Sequence, residues 1–514
     1  MSADERVLSE AVDGVEIDVV VPPDHAPLAR QTLAYGLTGL IVPLLGMVTL
    51  PIFARVFTPS EYGLLELGTA TLTVAVAVTD AGLTAAALRS FYDYTAEQEP
   101  ERRSVMLTGF LATSAIALAV TLLLIGARDE LSRWLFGKPD QGTLVIVIAC
   151  SVLALNTWRY VGEVMRVRFQ AFSYLTMSAL AATVTTALGV AGVLLLDWRV
   201  DGVFFAAVVG NTIAAFYGLL AVRRWLKGRF STPELQTMLA YGLPLIPSAL
   251  SAWALALIDR IILSRLGSLS EVGEYAVANR LALLLLIGMT AFLFALTPFL
   301  LSTYSEGPEQ EKAARGRTLT YLTFILTFAG LTLTLFAKEI LEIVAPAFDD
   351  AYLAVGPLAL GTALYGVSTL LTTGLSIVRK TVHLAALSIA AAVLNVVLNF
   401  ALIPPFGIVG ASIATAAGYG ALALSFYWVT QRLYPSPYEP RKVVTMLVAA
   451  SAIGVLGVVP LGPAAVAVPV KILALAAFVC ICLATRAMTP TEFRELRRFA
   501  RSMVPTGRRL AGVD

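Results

Sequence analysis

Residues 172–196 read FSYLTMSALAATVTTALGVAGVLLL, an apolar run without one charged side chain. A run of that length crosses about 30 Å of hydrocarbon at roughly 1.5 Å per residue. Lipid offers the backbone no hydrogen-bond partners, so the run must be a helix that satisfies its own peptide groups. Working outward in both directions, similar runs fall near 31–54, 62–88, 105–127, 143–165, 202–222, 241–263, 273–301, 318–345, 352–378, 382–403, 408–430, 443–461 and 464–485. Fourteen spans are therefore expected, with no gap large enough for a catalytic domain. Hydrophobic residues make up 58% of the chain and charged ones 14%, and the mean hydropathy is +0.79. That balance belongs to an integral membrane protein.

The charges set an expected orientation, because Lys and Arg in short loops stay on the cytoplasmic side. Counting from inside, the even-numbered gaps and the tails hold most of the 37 basic residues, among them Arg102, Arg103, Arg223, Arg224, Lys227, Arg229, Arg379, Lys380 and Arg441. Both termini are expected in the cytoplasm, in a chain of the cell membrane. The net charge of +2 hides this asymmetry, which reads as topology and not as a nucleic-acid surface. Residues 1–28 are acidic and lack the pattern of a secretory signal, so they are expected to be a disordered cytoplasmic tail. At the other end, Thr489-Pro490-Thr491-Glu492 reads as a helix start. Phe493, Leu496, Ala500 and Met503 then share one face, as in a basic amphipathic helix lying on the inner leaflet.

Several chemistries lack their residues. No GxxxxGK[ST] loop occurs. The two histidines, His25 and His383, have no metal-site or nucleophile–base neighbours, and Cys150, Cys480 and Cys482 sit in spans without ligand spacing. No catalytic residue, metal or cofactor is expected. Asp129, Glu130 and Asp140 in the longest outer connection keep a membrane glycan-assembly enzyme as a rival reading.

Function should lie with the polar groups inside the spans, since a charge at the bilayer centre costs roughly 2.5–3.5 kcal/mol on insertion scales. Asn156, Arg159, Glu163, Arg166 and Gln170 share one face of the fourth span, and the spacing of Arg159 and Glu163 predicts an ion pair. Glu66, Thr69, Thr73, Asp80 and Thr84 share a face of the second, with Glu66 near enough to the outer end to reach water. Ser388, Asn395 and Asn399 form a milder stripe on the eleventh. Such stripes are either hydrogen-bonded helix seams or the walls of an aqueous cleft. Asp259-Arg260 and Asn279-Arg280 flank an outer turn, where snorkelling to water competes with a site.

The chain also echoes itself. Tyr35-Gly36-Leu37 leads to Ser60-Glu61-Tyr62-Gly63, and Tyr241-Gly242-Leu243 leads to Ser270-Glu271-Val272-Gly273. An echo six spans apart predicts two six-helix lobes in parallel repeat, followed by a two-helix appendage. The expected divisions are an acidic tail 1–28, an N-lobe 29–230, a C-lobe 231–434, helices thirteen and fourteen in 435–486, and a basic tail 487–514.

The motifs Tyr241-Gly242-Leu243-Pro244-Leu245-Ile246-Pro247, Leu257-Ile258-Asp259-Arg260-Ile261-Ile262-Leu263 and Val272-Gly273-Glu274-Tyr275 through Asn279-Arg280 resemble the middle of Wzx-type polysaccharide flippases. Phe57-Thr58-Pro59-Ser60-Glu61-Tyr62-Gly63, Asp80-Ala81-Gly82-Leu83 and Pro404-Pro405-Phe406-Gly407 resemble the same family, over roughly 30–430. These belong to the multidrug/oligosaccharidyl-lipid/polysaccharide (MOP) exporter superfamily. The resemblance implies a MATE-like pair of lobes around an alternating-access cavity. It also implies movement of an undecaprenyl-diphosphate-linked glycan from the inner to the outer leaflet. On that reading Arg159, Arg260, Arg280, Asn156, Asn395 and Asn399 are substrate-cavity candidates, and Asp80, Glu163 and Asp259 balance charge or couple transport to an ion gradient. Membrane lipids are partners, and a glycan polymerase and glycosyltransferases are further candidates. A lipid II flippase and a cation-coupled drug exporter are the rival readings within the same fold.

Overall fold

The structure is a computed structural model that describes residues 25–137, 140–290, 292, 307–377 and 381–503. The acidic tail to residue 24, the last third of the expected span 273–301, Arg379-Lys380 and the chain after Met503 lie outside the described residues, as do the side chains after Leu496.

The helices in chain order are α1 (His25–Val56), α2 (Pro59–Asp80), α3 (Leu83–Tyr92), α4 (Glu99–Gly126), α5 (Arg128–Phe136), α6 (Gly142–Val167), α7 (Ala171–Leu195), α8 (Val200–Val222) and α9 (Thr232–Gly242). After a short 3-10 turn, Leu243–Leu245, come α10 (Ile246–Leu266), α11 (Leu269–Ala282), α12 (Pro308–Val344), α13 (Tyr352–Ile377), α14 (Thr381–Leu433), α15 (Pro440–Gly454), α16 (Ala464–Ala484) and α17 (Pro490–Met503). Among the described residues no strand occurs, and 12 helical segments are long and apolar enough to cross a membrane. One of these, Leu384–Leu433, covers two expected spans, and α1 enters only through its shorter apolar part, Leu44–Val56.

Local chemistry explains where helices start and break. Several begin earlier than hydrophobicity alone indicates because polar turns are stabilised in place. Ser231 caps α9 by accepting from the Glu234 N–H at 3.4 Å, and Glu309–Lys312 and Glu311–Arg315 pairs support the first turns of α12. The stretch expected to be the longest outer connection holds α5, seated by buried Leu135 and Phe136. α2 breaks into α3 where Ala81 (φ 45°) and Gly82 (φ 69°) are both left-handed. α14 breaks at Gly407 (φ 52°), directly after Pro404 and Pro405, so its two halves fold back on each other.

The helices pack as two groups, and α9 lies against α3 and α4 of the first. In the first, α6 packs on α2, α4 and α8, and α7 on α1 and α8; in the second, α14 packs on α10 and α13, and α13 on α12. The lobes touch at both ends of the bundle. At the end carrying Gly267, α2 and α11 start with matching capping boxes. Thr58 and Ser268 accept from the backbone N–H of Glu61 and Glu271 at 3.3 and 3.2 Å, and each glutamate accepts the cap N–H in return at 3.0 and 2.8 Å. The two helices then cross so closely that a Cβ on Gly63 would collide with the Leu269 carbonyl, and one on Gly273 with the Pro59 carbonyl. Both obstacles are backbone. At the end carrying Arg102, a Cβ on Gly82 would lie 2.5 Å from the Gly242 carbonyl oxygen.

α15 and α16 pack on α12, not on the first lobe. Lys471, buried in α16, pairs with Glu339 of α12. α17 is docked on the protein through Phe493 and Leu496. Phe493 meets the Phe324 ring edge-on at 6.1 Å, Glu492 accepts from Lys442 at 2.8 Å, and Glu495 accepts from the Tyr321 hydroxyl at 2.7 Å.

Two predictions follow from this packing. Gly63→Ala or Gly273→Ala is expected to cost about 1–3 kcal/mol by overpacking a backbone contact, read as a lower thermal midpoint of the solubilised protein. Gly46→Ala, whose added Cβ meets nothing within 4 Å, should leave the midpoint unchanged. For α17, burial tends to raise the Glu492 carboxyl, but hydrogen bonds from Lys442 and Thr489 hold it below its ordinary 4.5. The docked state thus binds fewer protons than the free helix. Docking should be at full strength above about pH 4.5 and weaken as pH falls through the lower docked-state value. Hydrogen exchange across 490–496, measured from pH 6 to about 3, tests that direction.

Candidate functional site

A quartet of charges ties the lobes together inside the bundle. Glu66 lies on α2 two turns past its capping box. Asp259 and Arg260 lie on α10, and Arg280 on α11, on the two sides of the Gly267 turn. One Glu66 oxygen accepts from Arg280 Nε and Nη2 at 3.1 and 2.8 Å, and the other accepts from Arg260 Nε at 3.4 Å. Arg260 also donates to Asp259 at 3.0 Å and to the Ala256 carbonyl at 2.8 Å. The second Asp259 oxygen accepts from the Tyr275 hydroxyl and, at 3.2 Å, from Thr415 of α14. Arg280 lies over the Tyr62 ring at 5.4 Å and Arg260 over the Tyr275 ring at 5.6 Å.

Two positive and two negative groups make the quartet neutral. That neutrality is what permits Glu66, Asp259 and Arg260 to be only 6%, 2% and 3% exposed. Arg260 is therefore held inside the bundle, and Arg280, with part of its side chain accessible, turns its guanidinium to Glu66. Glu66, expected to reach water, is instead the carboxylate that both arginines share. The signal for it was arithmetic: Asp259 alone leaves one of the two buried cations uncompensated.

The other candidates are dispersed. Asn156 is buried and accepts from Thr79 at 3.3 Å, a seam between α6 and α2. Asp80, the last residue of α2, accepts from Thr84 one turn on. The expected Arg159–Glu163 pair does not form. Glu163 accepts from Arg166 at 2.7 Å, i to i+3, while Arg159 is exposed and has no ion-pair partner among the described residues. Thr69 and Thr73 donate to carbonyls of their own helix at 2.8 and 2.7 Å, so that stripe needs no cavity. Asn395 and Asn399 are fully buried in the first half of α14. Asn399 donates to the Asn395 carbonyl at 2.9 Å, whereas Asn395 Nδ2 and Asn399 Oδ1 have no partner among the described residues. Thus Asp259, Arg260 and Arg280 come together, and Arg159, Glu163 and Asp80 are not part of that cluster.

A cavity of about 590 Å³ opens elsewhere, between α12, α13, α14 and α15. Gly330, Thr334, Gly356, Pro357, Gly420 and Ser451 line it, and none of the charged candidates does. It is an apolar groove made by small residues. Among the described residues no group of three or more His, Cys, Asp or Glu could hold a metal ion, and Cys150, Cys480 and Cys482 are free thiols.

Known proteins share this architecture. Among solved structures, the lipid II flippase MurJ in an inward closed conformation superposes with a TM-score of 0.68 at 12% identity, covering 89% of this chain and 100% of that one. An inward-facing multidrug resistance MATE family transporter of the MOP superfamily gives 0.65 at 16% identity, covering 77% and 98%. In sequence, the succinoglycan biosynthesis transport protein ExoT of Rhizobium meliloti (strain 1021) is 25% identical over 241 residues. That match spans 46% of each chain, just under half of the relative's length. A protein of Haloferax volcanii described as a probable low-salt glycan biosynthesis flippase, Agl15, is 21% identical over 396 residues, 76% of this chain and 81% of that one. The model of the polysaccharide biosynthesis protein family matches residues 28–304. With more than half of its length matched to that model and the helical fold of the MOP exporters around it, the chain belongs to the polysaccharide biosynthesis protein family.

Proposed function

We propose that this protein is a flippase that carries an undecaprenyl-diphosphate-linked oligosaccharide from the inner to the outer leaflet of the cell membrane, by alternating access between its two lobes. The observation that carries the reading is the Glu66–Arg260–Arg280–Asp259 quartet. It joins the lobes through contacts that can exchange partners, which a permanent apolar interface would not allow. Guanidinium groups bind phosphate oxygens bidentately. A diphosphate competes with Glu66 for Arg260 and Arg280, so substrate binding and release of the lobe contact are one event. A ligand that favours the released state shifts the population toward it by its differential affinity.

The remaining assignments rest on this scheme. The lobes are 29–230 and 231–434, with both termini in the cytoplasm and the Gly267 turn facing outward. Arg159, exposed and unpaired among the described residues, is the N-lobe group available to an anionic substrate. Asn156, Asn395 and Asn399 supply neutral polar contacts. Asp80, Glu163 and Asp259 balance charge or couple the cycle to an ion gradient. Among the described residues Asp80 bonds to Thr84 and Glu163 to Arg166, one partner each and fewer than Asp259. The groove between α12 to α15 suits an isoprenoid tail, because its small lining residues leave a long apolar surface uncovered.

Depletion of the protein should cause an undecaprenyl-diphosphate-linked oligosaccharide to accumulate on the inner leaflet. Accumulation of lipid II instead, or of neither, overturns the substrate assignment. Arg280→Ala and Arg159→Ala should each lower surface glycan roughly tenfold at matched protein levels, about 1.4 kcal/mol of lost substrate interaction. Lys at position 280 should restore only part of it, because an ammonium cannot make the bidentate contact. Wild-type export from both alanine variants overturns their role. Glu66→Ala removes the shared carboxylate and should destabilise the solubilised protein by about 3 kcal/mol, the low end for breaking a buried pair. Arg280 keeps 27% of its side chain accessible, which is why the low end applies. Adding Arg280→Met to Glu66→Ala should recover part of that loss, a coupling read by a double-mutant cycle of thermal midpoints.

A further inference from the structure

At the Arg102 end of the first lobe, basic residues gather along the α6–α7 junction and the segment after α8. Trp225 follows α8, with the guanidinium carbon of Arg168 4.1 Å from its ring centre and that of Arg103 5.8 Å away; Phe91 packs on the same ring at 6.0 Å. The segment carrying Trp225 is pinned to the start of α4. Arg229 N–H donates to Ser104 Oγ at 3.1 Å, Ser231 N–H donates to Thr108 Oγ1 at 3.0 Å, and Gly228 lies against the Arg103 backbone. Arg168, Arg223, Arg224, Lys227 and Arg229 make no ion pair among the described residues. Of the carboxylates nearby, Glu99 pairs with Arg103, Glu163 pairs with Arg166, and Glu234 accepts from Tyr94. Arg103 Nε is buried without a partner among the described residues. Burial lowers the pKa of Arg168 from its ordinary value, Glu99 opposes that shift and Arg102 adds to it, so its positive charge is under-compensated.

Apolar rings stand beside these cations. Phe169 holds φ at 55° as the left-handed residue that closes α6, where its N–H donates to the Arg166 carbonyl at 3.0 Å and the Gln170 N–H to the Met165 carbonyl at 2.9 Å. That turn leaves Phe169 46% exposed. Phe172 and Phe230 are equally exposed. Rings at the edge of a membrane, next to unpaired cations, match a surface where acyl chains meet phosphates.

We propose that the α6–α7 junction and the segment after α8 form a binding site for the phosphodiester headgroup of an anionic phospholipid. Arg168, fixed flat on Trp225, binds the phosphate. Arg223, Arg224, Lys227 and Arg229 raise the local potential, and Phe169, Phe172 and Phe230 insert among the acyl chains. The site is separate from the quartet and does not depend on the transported substrate.

The test uses the full-length protein in neutral detergent, with thermal midpoints and native mass spectra recorded with phosphatidylglycerol, phosphatidylcholine or inorganic phosphate. Phosphatidylglycerol should raise the midpoint by several degrees and remain bound on gentle activation, while the other two do neither. Arg168→Ala and, separately, Arg224→Ala with Lys227→Ala should weaken retention of phosphatidylglycerol roughly fivefold to tenfold per cation removed. Their lipid-free midpoints report whether the fold is intact, and the exposed pair keeps the test open if Arg168→Ala unfolds. Phe169→Ala should reduce retention of phosphatidylglycerol without creating a response to inorganic phosphate. Equal effects of phosphatidylcholine and phosphatidylglycerol overturn the proposal, as does wild-type retention in the variants. A shift reproduced by inorganic phosphate means a free-anion site and overturns the lipid assignment.

Discussion

A charge placed in hydrocarbon must find its counter-charge within the protein, and here that requirement is met across the boundary between two lobes. Arg260 and Arg280 come from one lobe and Glu66 from the other, so neither lobe is electrostatically complete by itself. Neutrality makes the buried cluster tolerable, and its split ownership makes the lobes dependent on each other at that end. The closed capping boxes beside it fix where the charges stand, because they set the first turns of α2 and α11 and hence the rotation of Glu66 and Arg280 about their axes.

The fold was largely legible in the chain because hydrophobic length is a direct physical requirement of a bilayer. The break between expected spans eleven and twelve falls at Gly407, and the echoed Ser-Glu-x-Gly pairs become the two helix starts that cross. What hydrophobicity could not show was where polar turns extend a helix, as at Thr232 and Pro308, where caps and ion pairs set the start. The site was less legible. Ideal helical faces grouped Arg159 with Glu163, but a surface glutamate has two partners within reach, and Arg166 three residues on provides the bond. Glu66 was read from its depth along one helix, whereas its surroundings are set by α10 and α11 from the other lobe. Contacts between segments some two hundred residues apart leave no periodic trace.

The C-terminal pair α15 and α16 is fastened to α12 near both ends. Lys471 holds one end through Glu339, and the other is held by Lys442 and Tyr321 through α17. The apolar groove therefore lies within a single mechanical unit, the second lobe with its appendage. A relative movement of the lobes changes the quartet while leaving the groove's walls in register.

The reciprocal glycine crossing carries a further meaning. Thr58, Glu61 and Gly63 stand to Ser268, Glu271 and Gly273 as equivalent positions, and each glycine meets the partner's equivalent carbonyl. That is the geometry of an isologous dimer interface, preserved inside one polypeptide. Carried along the same register, Glu66 corresponds to Ala276 and Arg280 to Ala70. In a symmetric dimer every subunit would have to bear both the acid and the base, and the ion pair would occur twice. Within one chain each half need carry only one of the two, which gives a single, directional ionic contact where symmetry would impose two.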